Sequence, residues 1–206
     1  MVICKKDPSF YKTLSNFFIN LPDGIPGVWI GKLKGGKKIE RCYGPDFFEY
    51  VLRKSANLKI NHYFCGGNEG VANELKIVCQ KRFANQNVVG TYCPPFRELS
   101  SQEWEWLAND IIEKEAHIVW IGISTPKQER FAEHLSKLTN TYFIITVGAA
   151  FDFHIGKVRQ APKFMQKNGL EWLFRLIMEP KRLWKRYFSI VPLFIYYNIK
   201  NLFLLK

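Results

Sequence analysis

Between residues 61 and 147 the chain alternates short apolar runs with longer segments whose apolar positions recur every three or four residues. The runs are NHYFC (61–65), QNVV (86–89), HIVWI (117–121) and YFIITV (142–147), each rich in β-branched or aromatic residues. Val71, Leu75, Val78 and Cys79 follow the first run at one-face helical spacing. After the second run, Ser100 and Glu103 have the spacing of a capping box and Trp104, Leu107, Ala108 and Ile111 face inward. Phe131, Leu135 and Leu138 mark a helix after the third. An earlier unit reads as a strand FFINL (17–21), a turn PDG and a helix near Phe47 to Leu52. Strands alternating with helices predict an α/β fold: a Rossmann-like, mostly parallel sheet flanked by helices.

Ligands of such sheets bind beyond the carboxyl ends of the strands. The segments expected there are PDGIPG (22–27), GGNEG (66–70), GTYCPPF (90–96), GISTPKQE (122–129) and GAAFDFHIG (148–156), each carrying glycine. Five such turns predict a rim where backbone approaches a phosphate-bearing ligand, with Gly24, Gly66 and Gly67 among the candidate contacts. In the fourth turn, Thr125 has the position of an N-cap, Pro126 that of the first helical residue and Gln128 that of the reciprocal capping partner. Lys127 does not fit that reading. A cation in a first helical turn meets the positive end of the helix dipole, which is favourable only if an anion sits there.

At 206 residues the chain suits one domain, or one with an appendage. Its net charge is +12, and residues 157–206 hold eleven basic side chains against Glu171 and Glu179, so +9 lies in the last quarter. This divides the chain into a core, 1–156, and a basic helical appendage, 157–206. GLEWLFRLIMEPKRLWKRYF (169–188) reads as two helical pieces meeting at Pro180, with Arg175, Arg182 and Arg186 on one face if the register continues across it. A basic amphipathic segment of this kind suits an anionic membrane surface. The final apolar stretch is interrupted by Pro192, Asn198, Lys200 and Asn201, and is expected to lie on a bilayer or on the protein without crossing. Five scattered cysteines without CxxC, and no N-terminal signal peptide, suit a reduced cytoplasmic compartment.

Asp23, between an apolar run and Gly24, reads as an ordinary Asp-Gly turn or as a general base. Asp152 has the same double reading, as a hydrogen-bonded structural carboxylate or a ligand contact. The four histidines have no metal-ligand spacing and D-x-D is absent. A metal-free site would neutralise a diphosphate with Lys127, Arg41, the carboxy-terminal arginines and helix N-termini. GGNEG is not G-x-G-x-x-G, and neither GxxxxGK[ST] nor GxSxG occurs, which disfavours nicotinamide, NTPase and α/β-hydrolase chemistry.

Taken in order, LPDGIPGVW, ERCYGPDFF, YFCGGNEGVA, VVGTYCPPF, IVWIGISTPKQE, VGAAFDFHIGKVRQAP and GLEWLFRLIMEPKRLWKRYF resemble the WecG/TagA/CpsF family of bacterial glycosyltransferases, from about Asp7 to Phe188. The resemblance implies an inverting, metal-independent hexosyltransferase without cofactor, peripheral on the inner face of the cytoplasmic membrane. Its donor would be a UDP-sugar, typically of N-acetylmannosamine or its uronic acid. Its acceptor would be a polyprenyl-diphosphate-linked sugar in polysaccharide or teichoic acid synthesis. Asp23 then becomes the expected base, Arg41 and Gln128 lie around the sugar and diphosphate, and the appendage closes over the site with Arg175, Arg182 and Arg186 toward the leaving group. Family members normally begin with further strands bearing a Thr-x-Asn segment, so an open sheet edge is expected here. Homo-oligomerisation is left open. The competing reading is a non-catalytic module whose tail engages acidic lipid or nucleic acid; Trp184 and Tyr187 recur at helical spacing, which favours core or membrane contact, so a nucleic-acid partner is not expected.

Overall fold

The computed structural model describes residues 2–203; Met1 and the last three residues of the expected appendage, Leu204 to Lys206, lie outside the described residues. In chain order the elements are α1 (Val2–Lys6), α2 (Pro8–Ser15), α3 (Ile25–Leu33), α4 (Gly44–Ser55), β1 (His62–Gly66), α5 (Val71–Phe83), β2 (Val88–Tyr92), α6 (Ser101–Glu113), β3 (Ile118–Gly122), α7 (Lys127–Leu135), β4 (Phe143–Thr146), α8 (Ala150–His154), α9 (Lys163–Lys167), α10 (Glu171–Met178) and α11 (Pro180–Phe203). They group into two compact units: Gly44–Arg159, and Met1–Tyr43 with Gln160–Lys206. The first 43 residues thus group with the C-terminal helices, whereas the division drawn from composition cut the chain once, after residue 156.

In the Gly44–Arg159 unit four parallel strands run in the order β2-β1-β3-β4. The α/β fold with a parallel sheet is therefore as the alternating pattern predicted. The two inner strands are buried at every position, as strands covered on both faces require. Phe64 and Trp120 join a core with Phe48 and Leu52 of α4, Leu75, Cys79 and Phe83 of α5, and Phe151 of α8. Tyr63 points oppositely, its hydroxyl donating to Asp110 of α6 at 2.6 Å. The predicted capping box at Ser100 and Glu103 forms, and Leu107, Ala108 and Ile111 are buried behind it.

The buried polar groups around Trp120 and His62 are paired. Trp120 Nε1 donates to His62 Nδ1 at 3.1 Å, which leaves Nε2 as the protonated nitrogen facing Ser55 Oγ at 2.8 Å. Asn85, fully buried after the left-handed Ala84 that ends α5, donates to Leu52 O and Ser55 Oγ. Burial, with His117 adding repulsion, holds His62 down at about 4. His154 is also lowered by burial, although its Nε2 faces Pro45 O at 3.0 Å. Both histidines are buried and hydrogen-bonded.

The second unit is helical. Asp7 caps α2 by accepting from the Phe10 N–H, with Pro8 at the first helical position where a missing N–H costs nothing. Lys5 Nζ lies 4.4 Å from the centre of the Tyr197 ring, joining α1 to α11. The expected strand FFINL is corrected: residues 17–21 are not in a strand, and Phe18 is 97% exposed. Its composition favours β structure, but a strand exists only with a hydrogen-bonded neighbour, and among the described residues none pairs with it. The helical pieces do meet at Pro180, where Glu179 at φ −133°, ψ 56° interrupts the helix. Arg175 therefore lies on α10 and Arg182 and Arg186 on α11, without the continuous register that would align them.

Candidate active site

Asp23 sits in the irregular segment before α3, exposed, between Pro22 and Gly24, which is the N-cap of that helix. Two neighbours in sequence order hold this loop. Arg41 Nε donates to Asp23 O at 2.5 Å and the Cys42 N–H donates to Pro22 O at 2.9 Å. The same guanidinium donates through NH2 to Glu171 of α10, lies 3.5 Å from Gln166 Oε1 of α9, and stacks 4.1 Å over the Tyr43 ring. Burial, then the Glu171 carboxylate, push the Tyr43 hydroxyl well above its ordinary pKa, with Asp23 adding to the shift. Burial and the Asp23 charge likewise raise Cys42. Arg41, expected at the substrate, is thus committed to protein groups that fix the Asp23 backbone.

The carboxyl ends of the sheet carry a cluster of turns. Gly66 (φ 148°) ends β1 and Gly67 (φ 75°) follows it, and a Cβ on Gly66 would lie 2.6 Å from the Gly122 backbone. A Cβ on Gly67 would strike Val71 at 2.4 Å, and one on Gly122 the Phe151 ring at 2.6 Å. These glycines are required by close packing of the chain itself. Of the five expected turns, two are corrected. Gly90 lies inside β2, where its missing side chain admits the Tyr63 ring, and PDGIPG follows no strand. The left-handed Gly148 after β4 completes the rim.

The capping box expected at Thr125 is also corrected. Helix α7 begins at Lys127, Pro126 is the N-cap, and no side chain caps it. Gln128 turns sideways instead: its Nε2 donates to Thr125 Oγ1 (3.1 Å) and Glu129 Oε1 (3.0 Å), and its Oε1 accepts from the Gly148 N–H (3.1 Å). Thr125 donates its hydroxyl to Glu129 Oε1 at 2.7 Å. This network joins the turns after β3 and β4. Lys127 is exposed in the first turn of α7 and, among the described residues, forms no ion pair. Asp152 is half-buried on α8, and its carbonyl accepts from the Lys157 and Val158 N–H groups.

Among the carboxy-terminal cations, Arg182 pairs with Glu179 at 2.6 Å, Arg186 is exposed, and Arg175 is half-buried. No helix among the described residues is long and apolar enough to cross a membrane. Ile177, Met178, Trp184 and Phe188 are exposed alongside Lys181, Lys185 and Arg186 on α10 and α11.

The sequence profile of the glycosyl transferase WecG/TagA/CpsF family matches residues 1–206. The chain belongs to this family. Among curated proteins it is similar to the N-acetylglucosaminyldiphosphoundecaprenol N-acetyl-beta-D-mannosaminyltransferase of Bacillus subtilis (strain 168), 28% identical over 185 residues, covering 90% of this chain and 70% of the relative. The enzyme of the same name from Bacillus spizizenii matches to the same extent. Within this WecG/TagA/CpsF protein, three side chains of the candidate sites escaped sequence reasoning. Tyr43 and Glu171 meet Arg41 only through the tertiary fold. Glu129 is 8% exposed, and its signal was the acidic residue that ends the GISTPKQE turn.

Proposed function

We propose that this WecG/TagA/CpsF protein is an inverting hexosyltransferase. It moves a sugar, N-acetylmannosamine or a related hexose or uronic acid, from a UDP-sugar to a polyprenyl-diphosphate-linked sugar at the cytoplasmic membrane face. The observation that carries this reading is the match of residues 1–206 to a glycosyl transferase family, with relatives named for N-acetylmannosamine transfer to an undecaprenol-linked diphosphosugar.

In this reading the Asp23 carboxylate takes the proton of the acceptor hydroxyl as that oxygen bonds to the anomeric carbon. The bond from the anomeric carbon to the diphosphate breaks, and UDP leaves with its electron pair. Attack opposite the leaving group inverts the centre. Arg41 supports the base by holding the Asp23 carbonyl, and reaches a diphosphate itself only if Glu171 releases its guanidinium. The arginines of α10 and α11 supply charge to the leaving group in place of a metal, and Lys127, at the positive end of α7, suits an anionic group at the sheet's rim. Exposed apolar and basic residues on those two helices suit contact with an anionic bilayer.

Incubation with UDP-N-acetylmannosamine and a short polyprenyl-diphosphate N-acetylglucosamine, with and without EDTA, should add one N-acetylhexosamine to the acceptor by mass. Replacing the base, Asp23→Ala, should slow this transfer by about 10²–10⁴, the usual contribution of a positioned general base. Parent-like turnover by that variant would remove Asp23 from the mechanism.

A further inference from the structure

We propose that Glu129 is a sugar-nucleotide contact: its buried Oε2 accepts a hydrogen bond from a sugar hydroxyl flanking the diphosphate. This rests on the sugar-nucleotide reading above and adds a residue to it. The Glu129 side chain belongs to a residue only 8% exposed, and Oε2 is buried with no hydrogen-bond partner. Both available donors, the Thr125 hydroxyl and the Gln128 amide, converge on Oε1. Gln128 has nothing further to give, since its amide nitrogen serves Thr125 and Glu129 and its oxygen holds the Gly148 N–H. A buried carboxylate oxygen without a donor bears its desolvation uncompensated, so a ligand that brings a donor recovers it.

Location and charge narrow that ligand. Thr125 lies in the turn beyond the carboxyl end of β3, so the carboxylate it anchors lies where parallel sheets bind ligands. Lys127 is exposed two residues earlier, in the first turn of the nine-residue α7. An ionised carboxylate accepts only, which rejects phosphate oxygens and selects O–H or N–H groups. Lys127 and the positive helix end disfavour a divalent cation at the same point. An anion-attracting lysine beside an accepting carboxylate matches a diphosphate joined to a hydroxyl-bearing ring. In a sugar nucleotide that ring is either the ribose or the glycosyl group.

The substitution Glu129→Gln keeps the shape and replaces one acceptor by a donor. Calorimetric titration of parent and variant with UDP-N-acetylmannosamine, UDP and inorganic pyrophosphate separates the possibilities. Affinity for the UDP-sugar should fall about tenfold or more, as for loss of a hydrogen bond to a charged acceptor, with pyrophosphate binding and the thermal midpoint unchanged. A parallel loss for UDP assigns the ribose; a loss confined to the UDP-sugar assigns the glycosyl ring. Unchanged UDP-sugar affinity, an equal loss for pyrophosphate, or a loss seen only with Mg²⁺ would each overturn the proposal. A parent that binds neither UDP nor its sugar derivative overturns the sugar-nucleotide reading and this inference with it. Parent binding with an indifferent variant overturns the inference alone. If the Gln variant does not fold, Glu129→Asp, which keeps the charge but withdraws it, is subject to the same outcomes.

Discussion

The two units of the chain bury different things. In Gly44–Arg159 the aromatic rings of Phe48, Phe64, Trp120 and Phe151 meet at centroid distances of 4.9–5.8 Å, and the polar groups among them are paired. In the unit built from the chain ends, only a few apolar side chains are buried among the described residues, including Val2, Phe10, Val28 and Leu183. Its most connected feature is a charge cluster: Arg41 with the Asp23 carbonyl, Glu171 and the Tyr43 ring. Apolar burial contributes about 25 cal/mol per Å², whereas partly exposed ion pairs contribute little. The sheet unit is thus the scaffold, and the terminal unit holds its proposed base by polar ties that can be rearranged.

Phe48→Ala breaks this contrast most severely. Phe48 is fully buried and touches the rings of Phe64, Trp120, Phe151 and His154. Its loss removes transfer energy and leaves a cavity, together about 3–5 kcal/mol. Hydrogen exchange read by mass spectrometry should show protection falling across residues 44–159, with the amides of α11 retained. Equal loss in α11 would mean that the two units open as one cooperative body.

His62 sharpens the contrast through pH. Its folded pKa, about 4, lies below the ordinary 6.5 because burial disfavours the cation. The unfolded chain therefore binds the proton first as pH falls, so the contribution is fully present above 6.5 and is lost toward 4. The loss approaches about 3 kcal/mol over that window, with His154 acting in the same direction. Unfolding of the parent in urea at pH 7 and pH 4.5 should show the decline, and His62→Gln should flatten it. An identical pH slope in both proteins would place the titrating group elsewhere.

The same division governs what could be read from sequence. The inner strands were legible because burial on both faces writes a continuous apolar run, as in HYFC and IVWI. The capping box at Ser100 was legible because both partners lie within one turn. FFINL was misread because composition reports propensity and not the presence of a neighbouring strand. Gly90 looked like a loop start because its reason, the Tyr63 ring, is on another strand. At TPKQE the spacing of a cap was real, but Gln128 spends its oxygen on Gly148, twenty residues away. Arg41 was found as a cation; its partner Glu171 was not, because GLEWLF reads locally as an amphipathic helix and the two meet across 130 positions.

Glu171→Ala is the smallest and most local break. It removes the carboxylate that holds the Arg41 guanidinium, leaving a side chain 14% exposed with one fewer acceptor. A charge-assisted bond at a site this accessible to water is worth about 1–2 kcal/mol. The loss falls on the polar cluster, so the consequence is loosening and not collapse. Arg41 also holds the Asp23 carbonyl, and the Cys42 N–H to Pro22 O bond lies beside it. The Cys42 amide should therefore exchange faster by nuclear magnetic resonance while the amides of β1 keep their protection. Unchanged exchange at Cys42 would show that the Asp23 loop is held by its own backbone bond, leaving Arg41 available to an anionic ligand without structural consequence.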